Sequence, residues 1–240
     1  MIKNTPERQA ELLRQELKDW SNEKVAISNQ YFFKEPIKTY GVETPLVRTI
    51  AKAAVRQLKE WRKAEVFTLC DLLFQSGYFE DATIAAELSY SRKKEFESQD
   101  FKTFERWLKR YINNWSSCDK FCNHTMGAFL FGHPTFLKQL SNWTKSNNRW
   151  LRRAAAVSLI VPARQGIFSD TIFHIAEMLL NDEDLFVQKG YGWLLKEAGK
   201  HQQQAVFDFV IANKLAMPRL SLRYAIEKLP RDLKLSAMSK

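Results

Sequence analysis

Trp150-Leu151-Arg152-Arg153-Ala154-Ala155 is echoed about 36 residues later by Phe186-Val187-Gln188-Lys189-Gly190-Tyr191. In both, a large apolar residue opens the segment, a cation follows and a small residue comes next. Arg223-Tyr224-Ala225 continues the pattern near the same period. A period of roughly 35–47 residues with paired helices points to HEAT-like repeats, in which a small residue lets neighbouring helices pack closely. No such unit can bury its apolar face alone, so the units stack. The alternative is a globular helical bundle. The reading is all-α: a curved superhelical stack of antiparallel helix pairs, a HEAT-like or ARM-like α-solenoid, with residues 1–240 as a single domain.

The rest of the chain carries the same helical signal. Leu12, Leu13, Leu17 and Trp20 line one face of a helix beginning near Pro6. Thr44-Pro45 reads as a helix start, with Thr44 as cap and Pro45 at a position where its missing N–H costs nothing. Val47, Ile50, Ala51, Ala54, Val55 and Leu58 form its stripe. Further helices are expected over 62–75, 79–92, 99–112, 115–130, 134–144, 147–160, 168–180, 184–199, 202–213 and 218–228. The separators are short: Ser76-Gly77, Gly132-His133-Pro134, Asn181 to Asp184 with a capping carboxylate, and Met217-Pro218. Tyr31 to Val42, with Pro36 and Gly41 as breakers, is the least helical part. No run reads as a strand. The chain holds only 8 Gly and 7 Pro, too few for the turns of an all-β protein of its length.

Composition bounds the partners. Lys and Arg number 37 against 27 Asp and Glu, a formal charge of +10. The isoelectric point of about 9.5 points to a polyanion such as DNA or RNA, or to an acidic membrane face, with nucleic acid favoured. Three cysteines, an odd number, argue against a disulfide framework. The opening MIKNTPERQAELLRQEL has no apolar core of a signal peptide. No window approaches the roughly 18 continuous apolar residues of a membrane helix. The expected compartment is a reducing cytoplasm, with no membrane partner.

Four segments could carry chemistry. Trp115 and Asp119 stand four apart, one face of a helix, with Ser116 or Ser117 able to cap its start. Trp193 follows Gly190 and Gly192, which suggest close packing or ligand approach. The run from Lys145 to Arg153 has four cations, Lys145, Arg149, Arg152 and Arg153, and no acid; its Ser and Asn residues add phosphate donors at a helix N-terminus. Cys118, Cys122 and His124 match no common zinc spacing and lack a fourth ligand, so Cys118 and Cys122 read as small core residues and no metal is expected. No Walker loop, HExxH or GxSxG is present.

Taken in order, several pieces resemble the AlkD-type DNA alkylation repair proteins, the HEAT-like repeat alkylpurine DNA glycosylases. They are Gly41-Val-Glu-Thr-Pro45, Trp115-x3-Asp119, Trp150-Leu-x-Arg153-Ala-Ala, Gln188-Lys189-x-x-Gly192-Trp193-Leu-Leu-Lys196 and Leu220-Ser-x-Arg223-x-Ala-Ile226. No piece is specific alone; the ordered set, spanning nearly the whole chain, is. The resemblance implies hydrolysis of the N-glycosidic bond of cationic N3- or N7-alkylated purines in duplex DNA, by a monomer, without a base pocket or cofactor. It implies that Trp115 and Trp193 flank the sugar of the damaged nucleotide, that Asp119 lies beside the anomeric carbon, and that Arg153 holds a phosphate. Arg149, Arg152, Lys189, Lys196 and Arg223 are the further cations expected to meet DNA, which would place the protein on the nucleoid. Three positions depart from the family pattern: Glu43 in place of a neutral glutamine, Val161 where a lysine is expected, and Lys196 in place of an arginine.

The residue types suit that chemistry in their own right. An alkylated purine already carries positive charge, so it leaves without a general acid. The sugar left behind is oxocarbenium-like. A fixed carboxylate stabilises it and orients water, and an indole face attracts the same cation by about 0.5–2 kcal/mol. Two other readings stay open: a non-catalytic HEAT-like module gripping damaged or branched DNA through its basic groove, and a scaffold for an acidic protein partner.

Overall fold

The computed structural model describes residues 5–239. Among them every regular element is helical, and the one extended feature is an isolated bridge between Lys38 and Tyr78. The chain divides into two compact units, Met1–Thr125 and Met126–Lys240.

The first unit holds α1 (Pro6–Asp19), α2 (Glu23–Phe33), α3 (Thr44–Gln57), α4 (Lys63–Gln75), α5 (Phe79–Ser91), α6 (Asp100–Arg110) and α7 (Trp115–Phe121). α1 packs on α4, α3 and α4 on α5, and α5 on α7. Helices two or three elements apart thus lie side by side, as stacked helix pairs require. α5 is the central element, with ten of its thirteen residues buried. That is why it shows no clean apolar stripe: a helix enclosed on most sides has no solvent face to mark. Leu69, Leu73, Ile84, Phe104, Trp107 and Phe121 form the core around it, each essentially without solvent exposure.

The second unit holds α8 (Gly127–Gly132), α9 (Leu137–Trp143), α10 (Arg149–Val157), α11 (Ile160–Ala163), α12 (Ser169–Met178), α13 (Leu185–Ala198), α14 (Gln203–Asn213), α15 (Arg219–Ala225) and α16 (Arg231–Met238). Here α13 is central and touches α10, α11, α12, α14 and α15. Its start is capped as expected: Asp184 Oδ1 accepts from the N–H groups of Phe186 at 2.8 Å and Val187 at 3.2 Å.

Four local expectations need correction. Residues 23–33 are helical, although the sequence signal there is weak. Asn22 starts α2 by accepting from Lys24 N and Val25 N, and Lys34, at φ 58°, ends it. Ile27, Tyr31 and Phe32 are exposed, so no apolar stripe announces the helix. The continuous helix expected over 115–130 is interrupted by a π-helical turn at Cys122–Met126; within it Thr125 hydrogen-bonds Ser89 Oγ at 2.8 Å. Thr44 is the first residue of α3 rather than its cap; Glu43 holds the cap position and makes no side-chain cap bond. On α1, Leu13 and Leu17 are buried, but Leu12 and Trp20 face solvent at 46% and 57% exposure. The cysteines do behave as core residues: Cys118 and Cys122 are fully buried.

Candidate functional site

Trp115 and Asp119 lie one turn apart on α7, both half-buried. The helix start is set by Asn114, not by a serine: Asn114 Oδ1 accepts from Ser117 N at 2.9 Å. Asn114 is itself 4% exposed, so the cap is held in the packed interior. That fixes the phase of a helix of only seven residues, and with it the face shared by Trp115 and Asp119. Lys120 ties α7 to α5 through Glu87, 2.7 Å away.

The Trp115 indole is backed by aromatic rings from α2. Phe33 lies 5.4 Å from it, ring to ring, and Phe32 the same distance at a steeper angle. Phe33 is 3% exposed and also packs on Phe79 of α5; Phe32 is 63% exposed. A buried carboxylate aligns the loop that leads α2 into α3. Glu80, without solvent exposure, accepts from Thr39 Oγ1 and from the backbone N–H groups of Tyr40, Gly41 and Val42 at 2.6–3.2 Å. Gly41 sits at φ +79°, and a Cβ there would meet Asn22 O at 2.4 Å, so the Gly41–Pro45 motif is a close-packed turn against the start of α2. The Tyr31-Phe32-Phe33 run is the sequence signal for this wall, but without a visible helix its direction could not be read.

In the second unit, α10, α13 and α15 carry the remaining candidates. Arg153 is 5% exposed and donates through Nη1 to the Phe186 carbonyl. Arg152 forms a two-pronged ion pair with Asp182, 2.6 and 3.2 Å, and also donates to Ser146 O. Its guanidinium therefore clamps the start of α10 to the turn before α13. Arg149 lies over the Trp150 ring, centroid 4.5 Å away, and pairs with Asp184 at 3.3 Å. Lys196 pairs with Glu227 at 3.0 Å. Lys189 is half-exposed with its ammonium 5.8 Å from the Phe186 ring, and Arg223 is exposed on α15. Of the departing positions, Glu43 is exposed and Val161 half-buried.

The two glycines of α13 serve separate contacts. A Cβ at Gly190 would meet Arg153 Cγ at 3.3 Å, and one at Gly192 would meet Tyr224 Cβ at 2.8 Å and Ser221 O at 2.9 Å. Gly190 makes the slot for Arg153; Gly192 lets α15 approach. Packing accounts for both. Trp193 is oriented by something else. Its Nε1–H donates to Glu197 Oε1 at 3.1 Å. Glu197 in turn accepts from Arg164 Nε at 2.8 Å and pairs with Lys200 at 2.5 Å. Burial would raise the Glu197 carboxyl, but the bonds from Arg164, Lys200 and Trp193 outweigh it and hold the group down at about 2. The carboxylate is thus charged at every ordinary pH. Trp193 and Glu197 stand four apart in the sequence, the spacing that puts two side chains on one helix face, and that spacing was the available clue.

A family model described as DNA alkylation repair enzyme matches residues 13–229. No curated protein matches. Among solved structures, a protein described as a predicted DNA alkylation repair enzyme from Enterococcus faecalis superposes with a TM-score of 0.78 at 19% identity, covering 88% of this chain and 97% of its own. The Streptococcus mutans protein smu.31 gives a TM-score of 0.60 at 19% identity, covering 89% of this chain and 100% of its own. At that identity the structural likeness speaks for the fold.

Proposed function

Because the chain belongs to the DNA alkylation repair enzyme family, we propose that it is a monofunctional alkylpurine DNA glycosylase. It would hydrolyse the N-glycosidic bond of cationic N3- or N7-alkylated purines in duplex DNA. The observation that carries this reading is the pairing of Trp115 with Asp119 on a short, capped helix, the indole backed by Phe33 and Phe32. A carboxylate beside a rigid indole is poorly suited to holding phosphate. It is well suited to a sugar that becomes positively charged.

In the reaction the C1′–N bond breaks and the purine departs as a neutral base, so no acid is needed at the leaving group. Asp119 stabilises the oxocarbenium-like sugar and orients the water that adds to C1′, with release of one proton. Trp115 presents its π face to the same cation, and Trp193 has the part of a second indole. Arg149, Lys189, Lys196 and Arg223 supply positive charge for the DNA backbone, while Arg152 and the buried Arg153 act by holding α10 against the start of α13. The protein would work as a monomer, without a cofactor or metal. Among the described residues no helix is long and apolar enough to cross a membrane.

The test is base release from duplex DNA containing 7-methylguanine or 3-methyladenine. The wild type should release the base, and Asp119→Asn should be slower by about 100-fold or more, the usual loss for one preorganised charge-stabilising group. Trp115→Ala should also be impaired. A wild type that binds the duplex but releases nothing would sink the glycosylase reading in favour of a DNA-binding module.

A further inference from the structure

We propose that Glu197 is a positioning residue for Trp193: it holds the indole through its N–H and makes the indole face more attractive to a cation. This rests on the glycosylase reading and assigns a role to a residue outside the Trp–Asp pair.

Trp193 and Glu197 occupy positions i and i+4 of α13, and the indole N–H reaches Glu197 Oε1 at 3.1 Å. The carboxylate is not a loose surface acceptor. It is 4% exposed, and its other oxygen is gripped by Arg164 from the end of α11 and by Lys200 one turn on. A side chain held on both sides sets the rotamer of the ring bound to it. Trp193 is only half-buried, so packing alone leaves its ring room to move. Donation to an anion also has an electronic effect. A charge-assisted bond draws the indole proton outward and leaves electron density on the ring, and the ring face is what attracts a cation. A buried carboxylate placed against an indole N–H, rather than against a backbone group, thus serves an indole that must face positive charge.

Glu197→Gln keeps an oxygen acceptor but removes the charge, and Trp193→Phe keeps an aromatic face but removes the N–H. Single-turnover base release at saturating 7-methylguanine DNA should fall about threefold to tenfold in each, and Glu197→Gln should leave the DNA Kd unchanged. The double variant should be no slower than the slower single one, because both remove the same bond. The Trp193 indole proton resonance should shift upfield in Glu197→Gln. Trp193→Phe leaves the carboxylate and its two cations intact, so it carries the test even where Glu197→Gln folds poorly. Losses that multiply in the double variant, or an indole resonance that does not move, would overturn the assignment while leaving the glycosylase reading standing. A wild type that releases no base would overturn both.

Discussion

Arg153 of α10 lies in a slot left by Gly190 of α13, where an added Cβ would meet the arginine's Cγ at 3.3 Å and its Nη1 at 3.4 Å. The obstacle is a side chain that can yield by a few tenths of an ångström. At Gly192 it includes the Ser221 carbonyl, which is backbone and cannot yield. Gly190→Ala should therefore lie near neutral in stability, since alanine's better helix propensity of about 1 kcal/mol offsets the crowding. Gly192→Ala should lose about 1–3 kcal/mol by prying α15 off α13. Urea unfolding of the two variants checks this, and equal midpoints would contradict it.

Asn114→Ala should cost about 1 kcal/mol, the usual loss of an N-cap side chain. Because α7 has only seven residues, fraying at its start reaches Trp115 directly. Base release should fall together with stability, and the Trp115 emission should shift toward that of a solvated indole. Asn114→Asp, which keeps the accepting oxygen, should restore both.

Arg152 and Lys189 should separate by phenotype. Removing Arg152 leaves the Asp182 carboxylate, 8% exposed, without its two-pronged partner. Arg152→Ala should therefore destabilise by about 1–3 kcal/mol. Lys189→Ala should leave stability unchanged and weaken duplex binding at low salt. If Lys189 meets a phosphate, the slope of log affinity against log salt should flatten by about one. Thermal unfolding and binding at several salt concentrations read the two effects independently.

Glu197 predicts an acid limb in the stability curve. Its carboxyl is lowered from 4.5 to about 2 in the folded chain, so the unfolded chain takes up the proton first as pH falls. The stabilisation is fully present above pH 4.5 and is lost between about 4.5 and 2. Glu197→Gln has no proton to gain and should lose less stability over that window. Denaturant unfolding at successive pH values gives the difference, and parallel curves would contradict it.

The helical class was legible because period and punctuation are local. The stripe from Val47 to Leu58 and the capping carboxylate at Asp184 act within one or two turns of their own chain, so the residues there state the outcome. At Gly190 and Gly192 the residues left close packing and ligand approach open, and the contacts with Arg153 and with α15 decided for packing. α2 was not legible. Its apolar residues face different ways, and what holds it is Asn22, the Gly41 turn and the rings of Phe79 and Trp115, the last three distant in sequence. The π turn after α7 was hidden for the same reason, since Thr125 bonds to α5.

Charge divided along the same line. Sequence by itself determined that cations are in surplus, that Arg149, Arg152 and Arg153 share one helix start, and that Trp115 and Asp119 share one face. It could not tell which cations are engaged, because an ion pair depends on what another element brings within 4 Å. Only tertiary structure decided that Arg152 is spent on Asp182, that Lys196 meets Glu227, and that three donors converge on Glu197. Helix-forming tendency belongs to neighbours in the chain; the charge and orientation of a side chain belong to its neighbours in space.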